Sequence, residues 1–139
     1  MANEIYGNLK GIRNSVIEEL KTFYDIRLEG GQLLTSELAL RMADVTDFIN
    51  REVSVYVARN GQVLAVSVGN DQSVELPPVE GRRGASRLSG VRCVHTHPRG
   101  SAELSDVDIT ALKSLLLDSM CALGISAEGE VTGVQAAFL

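Results

Sequence analysis

Apolar residues recur along this chain with two different rhythms, and the change from one to the other falls near residue 50. Ile12, Val16, Leu20 and Phe23 share one side of a 3.6-residue repeat, with Glu18, Glu19 and Lys21 off it, which predicts an amphipathic helix. Asp25 to Gly31 breaks that repeat, with Gly30-Gly31 as punctuation. Thr35 or Ser36 is placed to cap a second helix. Glu37 falls in its first turn, where the helix dipole favours an acid. Leu38, Met42, Val45 and Ile49 share its face as far as about Asn50.

Beyond Asn50 the residues become β-branched. Val53 to Ala58 and Val63 to Val68 flank Asn60-Gly61, a strong type I′ hairpin signal. Both parities of each run are apolar, as expected of a sheet covered on its two faces. Gly69 to Gly90 reads as a loop around Pro77-Pro78 and Arg82-Arg83-Gly84, with Val74 to Leu76 its one strand-like stretch. Val91 to His97 predicts a strand ended by Pro98. Ser105 can cap a helix running through Ile109, Leu112 and Leu116 to about Ser119. Met120 to Ile125 and Val131 to Leu139 read as two last strands joined at Ala127 to Glu130. The expectation is an α/β protein with a mixed sheet of five or six strands and helices packed on it. Residues 1–139 form one domain, with helices over 1–50 and the sheet and site core over 51–139.

Composition narrows the function more than the fold. With 139 residues, 45% of them apolar and 22% charged, the chain suits one globular domain with a real core. A net charge of −5 argues against general nucleic-acid binding. No apolar run approaches the roughly 20 residues of a membrane helix, and Met1 to Lys10 lacks a signal-peptide pattern. Cys93 and Cys121 make no disulfide framework, so a reducing cytoplasm is the expected location. The ending on Phe138-Leu139, without a polar tail, is expected of a chain cut at or inside a domain boundary.

The two histidines of the chain sit together in Val94-His95-Thr96-His97-Pro98, and Ser105-Asp106-Val107-Asp108 follows after six more residues. On a strand, positions i and i+2 point to one face, so both imidazoles project together. Asp108, three residues after a Ser105 cap, can reach back over the helix start toward the strand end, whereas Asp106 reads as a solvated first-turn acid. Two neutral nitrogens and one carboxylate, with a position left for water, is a usual way of holding catalytic zinc. The bland alternative gives Ser105 and the two aspartates ordinary helix-start duties, and both readings can hold at once.

His95-Thr96-His97-Pro98, the ten residues separating His97 from Asp108, and Ser105 three before Asp108 together resemble the JAMM (JAB/MPN) metalloprotease motif. That resemblance implies a JAMM-like fold with cytidine-deaminase-like layering, Zn2+ as cofactor, and hydrolysis of a peptide or isopeptide bond. It also implies roles: His95, His97 and Asp108 as metal ligands, Ser105 steadying the oxyanion, and an upstream glutamate as base. Glu52, just before the hairpin, occupies the matching place. Its ordinary alternative is a surface residue paired with Arg51 or Arg59.

A second resemblance spans nearly the whole chain. Gly7-Asn8-Leu9-Lys10-Gly11-Ile12-Arg13, Ile49-Asn50-Arg51-Glu52-Val53, Arg87-Leu88-Ser89-Gly90-Val91-Arg92-Cys93 and Thr132-Gly133-Val134-Gln135 are similar to the N-terminal extension of some bacterial HflX-type GTPases. It implies a module of a longer protein, with a link to the ribosome through the parent GTPase. The chain has no Gly-x-x-x-x-Gly-Lys-Ser/Thr loop, so no direct GTP binding is expected of it. A non-catalytic, regulatory or partner-binding module is therefore the competing functional expectation. Two smaller features complete the reading. Arg82, Arg83, Arg87, Arg92 and Arg99 form a basic island that could receive an acidic substrate, a C-terminal carboxylate or RNA, but a solvated loop is the commoner meaning. Cys93 shares strand parity with the histidines, as an extra soft ligand or, more ordinarily, a small buried residue; Cys121 reads as core.

Overall fold

A computed structural model describes residues 4–29, 32–69 and 89–139. It is a mixed α/β structure with a six-stranded mixed sheet and three α-helices. In chain order these are β1 (Ile5–Gly7), α1 (Asn14–Lys21), α2 (Ser36–Ile49), β2 (Val53–Ala58), β3 (Val63–Val68), β4 (Val91–Pro98), α3 (Asp106–Ser114), β5 (Ser119–Ile125) and β6 (Val131–Phe138). The sheet order is β1-β3-β2-β4-β5-β6. β1 lies parallel to β3 and β4 parallel to β5; the other neighbours run antiparallel. The parallel β4–β5 pair needs a crossover, which α3 supplies. The strand-like stretch Val74–Leu76 and Arg82, Arg83 and Arg87 lie outside the described residues.

Strand alternation sorts the side chains onto two faces. Val53, Val55, Val57, Val94, Cys121, Leu123 and Ile125 point to one face. There they form a core with Val16 and Leu20 of α1, Phe23, and Leu38, Met42 and Val45 of α2. Tyr56, Ala65, Cys93 and Met120 point to the other and pack against Leu112, Leu115 and Leu117 at α3 and its end. Both faces of the sheet are covered, as the double-parity pattern predicts. Thr35 caps α2, its hydroxyl accepting from the Leu38 amide at 3.2 Å, and Asn50 ends it in the left-handed conformation.

Four expectations need correction. The first 50 residues are not only helical, because Ile5–Gly7 adds an edge strand to the sheet. The first helix starts at Asn14 and gives way after Lys21 to a 3-10 turn over Thr22–Asp25, which carries Phe23 into the core. The hairpin turn is not type I′, since Asn60 does not have positive φ. The Gly61 amide bonds the Ala58 carbonyl at 2.9 Å, and Gly61 alone takes φ +87°, a type I turn followed by a glycine bulge. Finally, α3 stops at Ser114, not near Ser119. Leu116 takes φ +57° there, with Leu117 N–H bonding the Leu112 carbonyl and Leu116 N–H that of Lys113. This is a Schellman stop with leucine where glycine is usual. No described helix is long and apolar enough to cross a membrane.

Candidate metal centre

β4 delivers both histidines to the face that α3 covers. His95 pairs in register with Ser54 on β2 and Ala122 on β5, so its ring stands in the middle of the sheet, and it is only 2% exposed. His97, two residues on, stands at the strand's end and is half-buried. Asp108 comes from the first turn of α3 and is buried. A capping box sets its carboxylate: Ser105 Oγ accepts from the Asp108 amide at 3.1 Å, and the Ser105 amide donates to Asp108 Oδ2 at 2.9 Å.

The three side chains converge. Asp108 Oδ2 lies 3.2 Å from His95 Nε2 and 3.5 Å from His97 Nε2. The two Nε2 atoms are 3.0 Å apart, and one ligand atom from each residue falls within 4.8 Å of the others. This His95–His97–Asp108 group could hold a metal ion. The donor set itself supports that fit. His97 Nδ1 faces the Ser101 carbonyl at 2.8 Å, and a carbonyl only accepts, so Nδ1 carries the proton. The lone pair of a neutral His97 is thus at Nε2, aimed at His95 Nε2. Two imidazole nitrogens that close need a cation or a shared proton between them. A carbonyl-held Nδ1–H is also how ligating histidines are commonly oriented. His95 lacks that second arm: its Nδ1 is buried without a hydrogen-bond partner.

Electrostatics at the cluster favours positive charge. Burial alone would raise the Asp108 carboxyl, but bonds from His95, His97 and the Ser105 amide hold it well below the ordinary carboxylate range. The Asp108 bond in turn raises His97, against the opposing effect of burial. An ionised acid beside a histidine stabilised as a cation, His97, is a site that a divalent ion can enter by displacing protons.

Glu52 belongs to the same neighbourhood. It lines a cleft with Ser54, Cys93, His95, Val107 and Asp108. Burial raises its carboxyl, an effect that the positive potential of His95 and His97 partly offsets. Arg51 and Arg59, either of which the ordinary alternative would pair with it, are engaged elsewhere. Arg51 donates to the Asn8 and Lys10 carbonyls, and Arg59 makes a paired bond to Asp118 at 2.8 Å. Ser105 is exposed and shares an open groove with His97, Glu103 and Asp106. Its hydroxyl oxygen accepts from Asp108, which leaves its own proton free to donate. Asp106 is exposed, as expected of a solvated acid.

Cys93 sits on the histidine face, but the metal-competent group does not include it. It packs among Tyr56, Leu112 and Met120, where burial pushes its thiol far up, so it stays protonated. Cys121 is core on the opposite face. The Arg92 guanidinium bonds the carbonyls of Gln32 and Ala58. The sequence reading missed the support for the His97 loop. Gly124 pairs in register with His97, and a Cβ there would meet Ala102 N and Gly100 O at 2.9 Å. The loop carrying Ser101 thus lies flush on the sheet only because residue 124 has no side chain. Gln135 Oε1 holds its far end through the Leu104 amide at 2.7 Å.

Comparisons of the chain with protein-family models, with curated proteins and with solved structures found no match. The fold and site alone define its class, a mixed α/β protein carrying a buried His-His-Asp group able to hold a metal ion.

Proposed function

We propose that this chain is a zinc-dependent hydrolase domain of the JAMM type, acting on a peptide or isopeptide bond. The observation that carries the reading is the approach of His95, His97 and Asp108 around one point, with Glu52 lining the cleft beside it. His95, His97 and Asp108 would hold the ion. Zinc so held supplies a Lewis acid and acidifies water to a pKa near 7. Glu52, raised by burial, is suited to accept a proton from the attacking water and pass it to the leaving amine. Ser105 offers a hydroxyl proton toward the groove for the developing oxyanion while still capping α3. The JAMM-like layering is part of this proposal, supported by α1 and α2 on one face and α3 on the other.

The test separates binding from chemistry. The parent chain, loaded with zinc, is assayed on peptide and isopeptide substrates beside Glu52→Gln. The reading expects both to hold zinc and the variant to turn over far more slowly than the parent. Loss of zinc in Glu52→Gln would make Glu52 a ligand or a structural residue instead.

A second reading has one specific observation in its favour. The His-His-Asp group joins the start of α3 to β4, and His95 Nδ1 lacks the outer partner that tunes many catalytic ligands. An ion there could serve as a clasp in a non-catalytic, partner-binding module of an HflX-type protein, with any ribosome link lying in the parent GTPase. A zinc-bound parent inert on every peptide and isopeptide substrate would favour it.

A further inference from the structure

The two N-terminal helices are not part of the His-His-Asp group, yet α2 reaches into its framework through a buried pair of hydroxyls. Thr46 on α2 and Thr96 on β4 are both fully buried, and their Oγ1 atoms lie 2.6 Å apart. Thr96 Oγ1 also accepts from the Val53 amide at 2.9 Å, so a side chain satisfies a buried amide at the start of β2. Thr96 stands between His95 and His97, and Val53 follows Glu52 directly. By strand alternation Thr96 points to the face that α1 and α2 cover and the histidines to the face that α3 covers. One hydroxyl behind the sheet therefore ties the backbone bearing Glu52 to the backbone bearing both histidines.

The surrounding contacts leave that hydroxyl a specific task. The β2–β4 register ends at Ser54 and His95, one residue short of Val53 and Thr96. Glu52 follows the left-handed end of α2 at Asn50 and the anchored Arg51, and its own carbonyl accepts from Gly69. Thr96 is the bond that couples this junction sideways to β4. At 2.6 Å one of the two hydroxyls donates to the other, and the Thr96 hydroxyl also faces the Val53 carbonyl at 3.5 Å, so Thr46 backs Thr96 against the start of β2.

We infer that Thr96, backed by Thr46, is a positioning residue that sets Glu52 against the His95–His97 pair. The inference rests on the metal-centre reading above. It gives α2 a part in the site: the helix orients the proposed base from behind the sheet.

The experiment uses the full chain loaded with cobalt(II) and reads pseudocontact shifts of backbone amides, which report each amide's position relative to the ion. The parent is compared with Thr96→Val, Thr96→Ser and Thr46→Val. Thr96→Val is expected to keep one cobalt per chain and the parental shifts at Ala122 and Leu123. At Glu52 and Val53 it should lose the full-size shifts, by displacement or averaging. Thr96→Ser should restore them. Thr46→Val, which leaves the Val53 amide satisfied, should move the same two amides less, and it decides the matter if Thr96→Val does not fold. Parental shifts at Glu52 and Val53 in the valine variants, even with a lower melting temperature, would make the threonines structural only and overturn the inference. A parent that binds no cobalt would overturn the metal-centre reading itself, and the inference with it.

Discussion

The two faces of the sheet are built from the same strands but to different ends. Behind it, α1 and α2 close over a continuous apolar core in which Leu20, Phe23, Leu38 and Met42 are completely buried. A buried polar pair there, Thr46 with Thr96, satisfies itself and the Val53 amide. In front, among the described residues, α3 is the only helix, nine residues long, and part of the covered area is polar: His95, Asp108, Ser54 and Ser67 are buried there. Burying such groups costs free energy unless they are paired, and a domain selected only for stability would place valine or leucine at these positions. One face thus holds the fold together, and the other uses burial to shift charge and order donors.

Substitutions that act on one face and spare the other test this contrast. The largest effect is expected in front: Glu52→Gln should retain metal, by elemental analysis, while hydrolysis falls by roughly 10²–10⁴-fold. In the metal-free chain, burial raises the Glu52 carboxyl, so its titration there should lie above the ordinary glutamate range. Behind the sheet the converse holds. Leu38→Ala should cost about 2–5 kcal/mol of stability in denaturant titrations and leave metal stoichiometry unchanged. If Leu38→Ala strips the metal from the still-folded protein, the faces are not separable.

Ser105 serves both purposes, and its variants sharpen the comparison. Ser105→Ala should lose about 1 kcal/mol as the cap of α3 and slow turnover by about 10²–10³-fold. Ser105→Asp should recover the melting temperature without the rate. Recovery of both would leave Ser105 a cap alone. A further effect lies at the far edge, where Tyr24 donates to the Glu4 carbonyl and accepts from the Val66 amide at 3.0 Å, linking the residue before β1 to β3. Burial pushes its hydroxyl up to about 12 from 10.0. A raised folded-state pKa contributes stability that is complete below the unfolded value and lost as pH climbs through the folded one. Denaturation midpoints should therefore fall between pH 10 and 12 in the parent, and less steeply in Tyr24→Phe.

The front face was legible in the sequence where local rules govern it. The histidines' shared parity, the Ser105 cap and the reach of Asp108 all follow from strand alternation and a capping box, which span four residues or fewer. Glu52 was legible only through resemblance, because its place depends on the β2–β4 register. What stayed hidden was long-range or lacked a signal. β1 is three residues paired in parallel with a strand some sixty residues away, too short for any periodicity. The end of α3 carries Leu115-Leu116-Leu117, which continues a helical pattern, and no glycine marks the left-handed stop at Leu116. Gly124 and Thr96 read as ordinary strand residues until the loop and helix packed against them are seen.

The central claim is that the front face exists to hold a metal ion. Elemental analysis of the purified chain after zinc loading and exhaustive dialysis tests it most directly, beside the His95→Ala/His97→Ala variant confirmed as folded. The account predicts one zinc per chain in the parent and none in the variant. A variant that keeps as much zinc as the parent would contradict it.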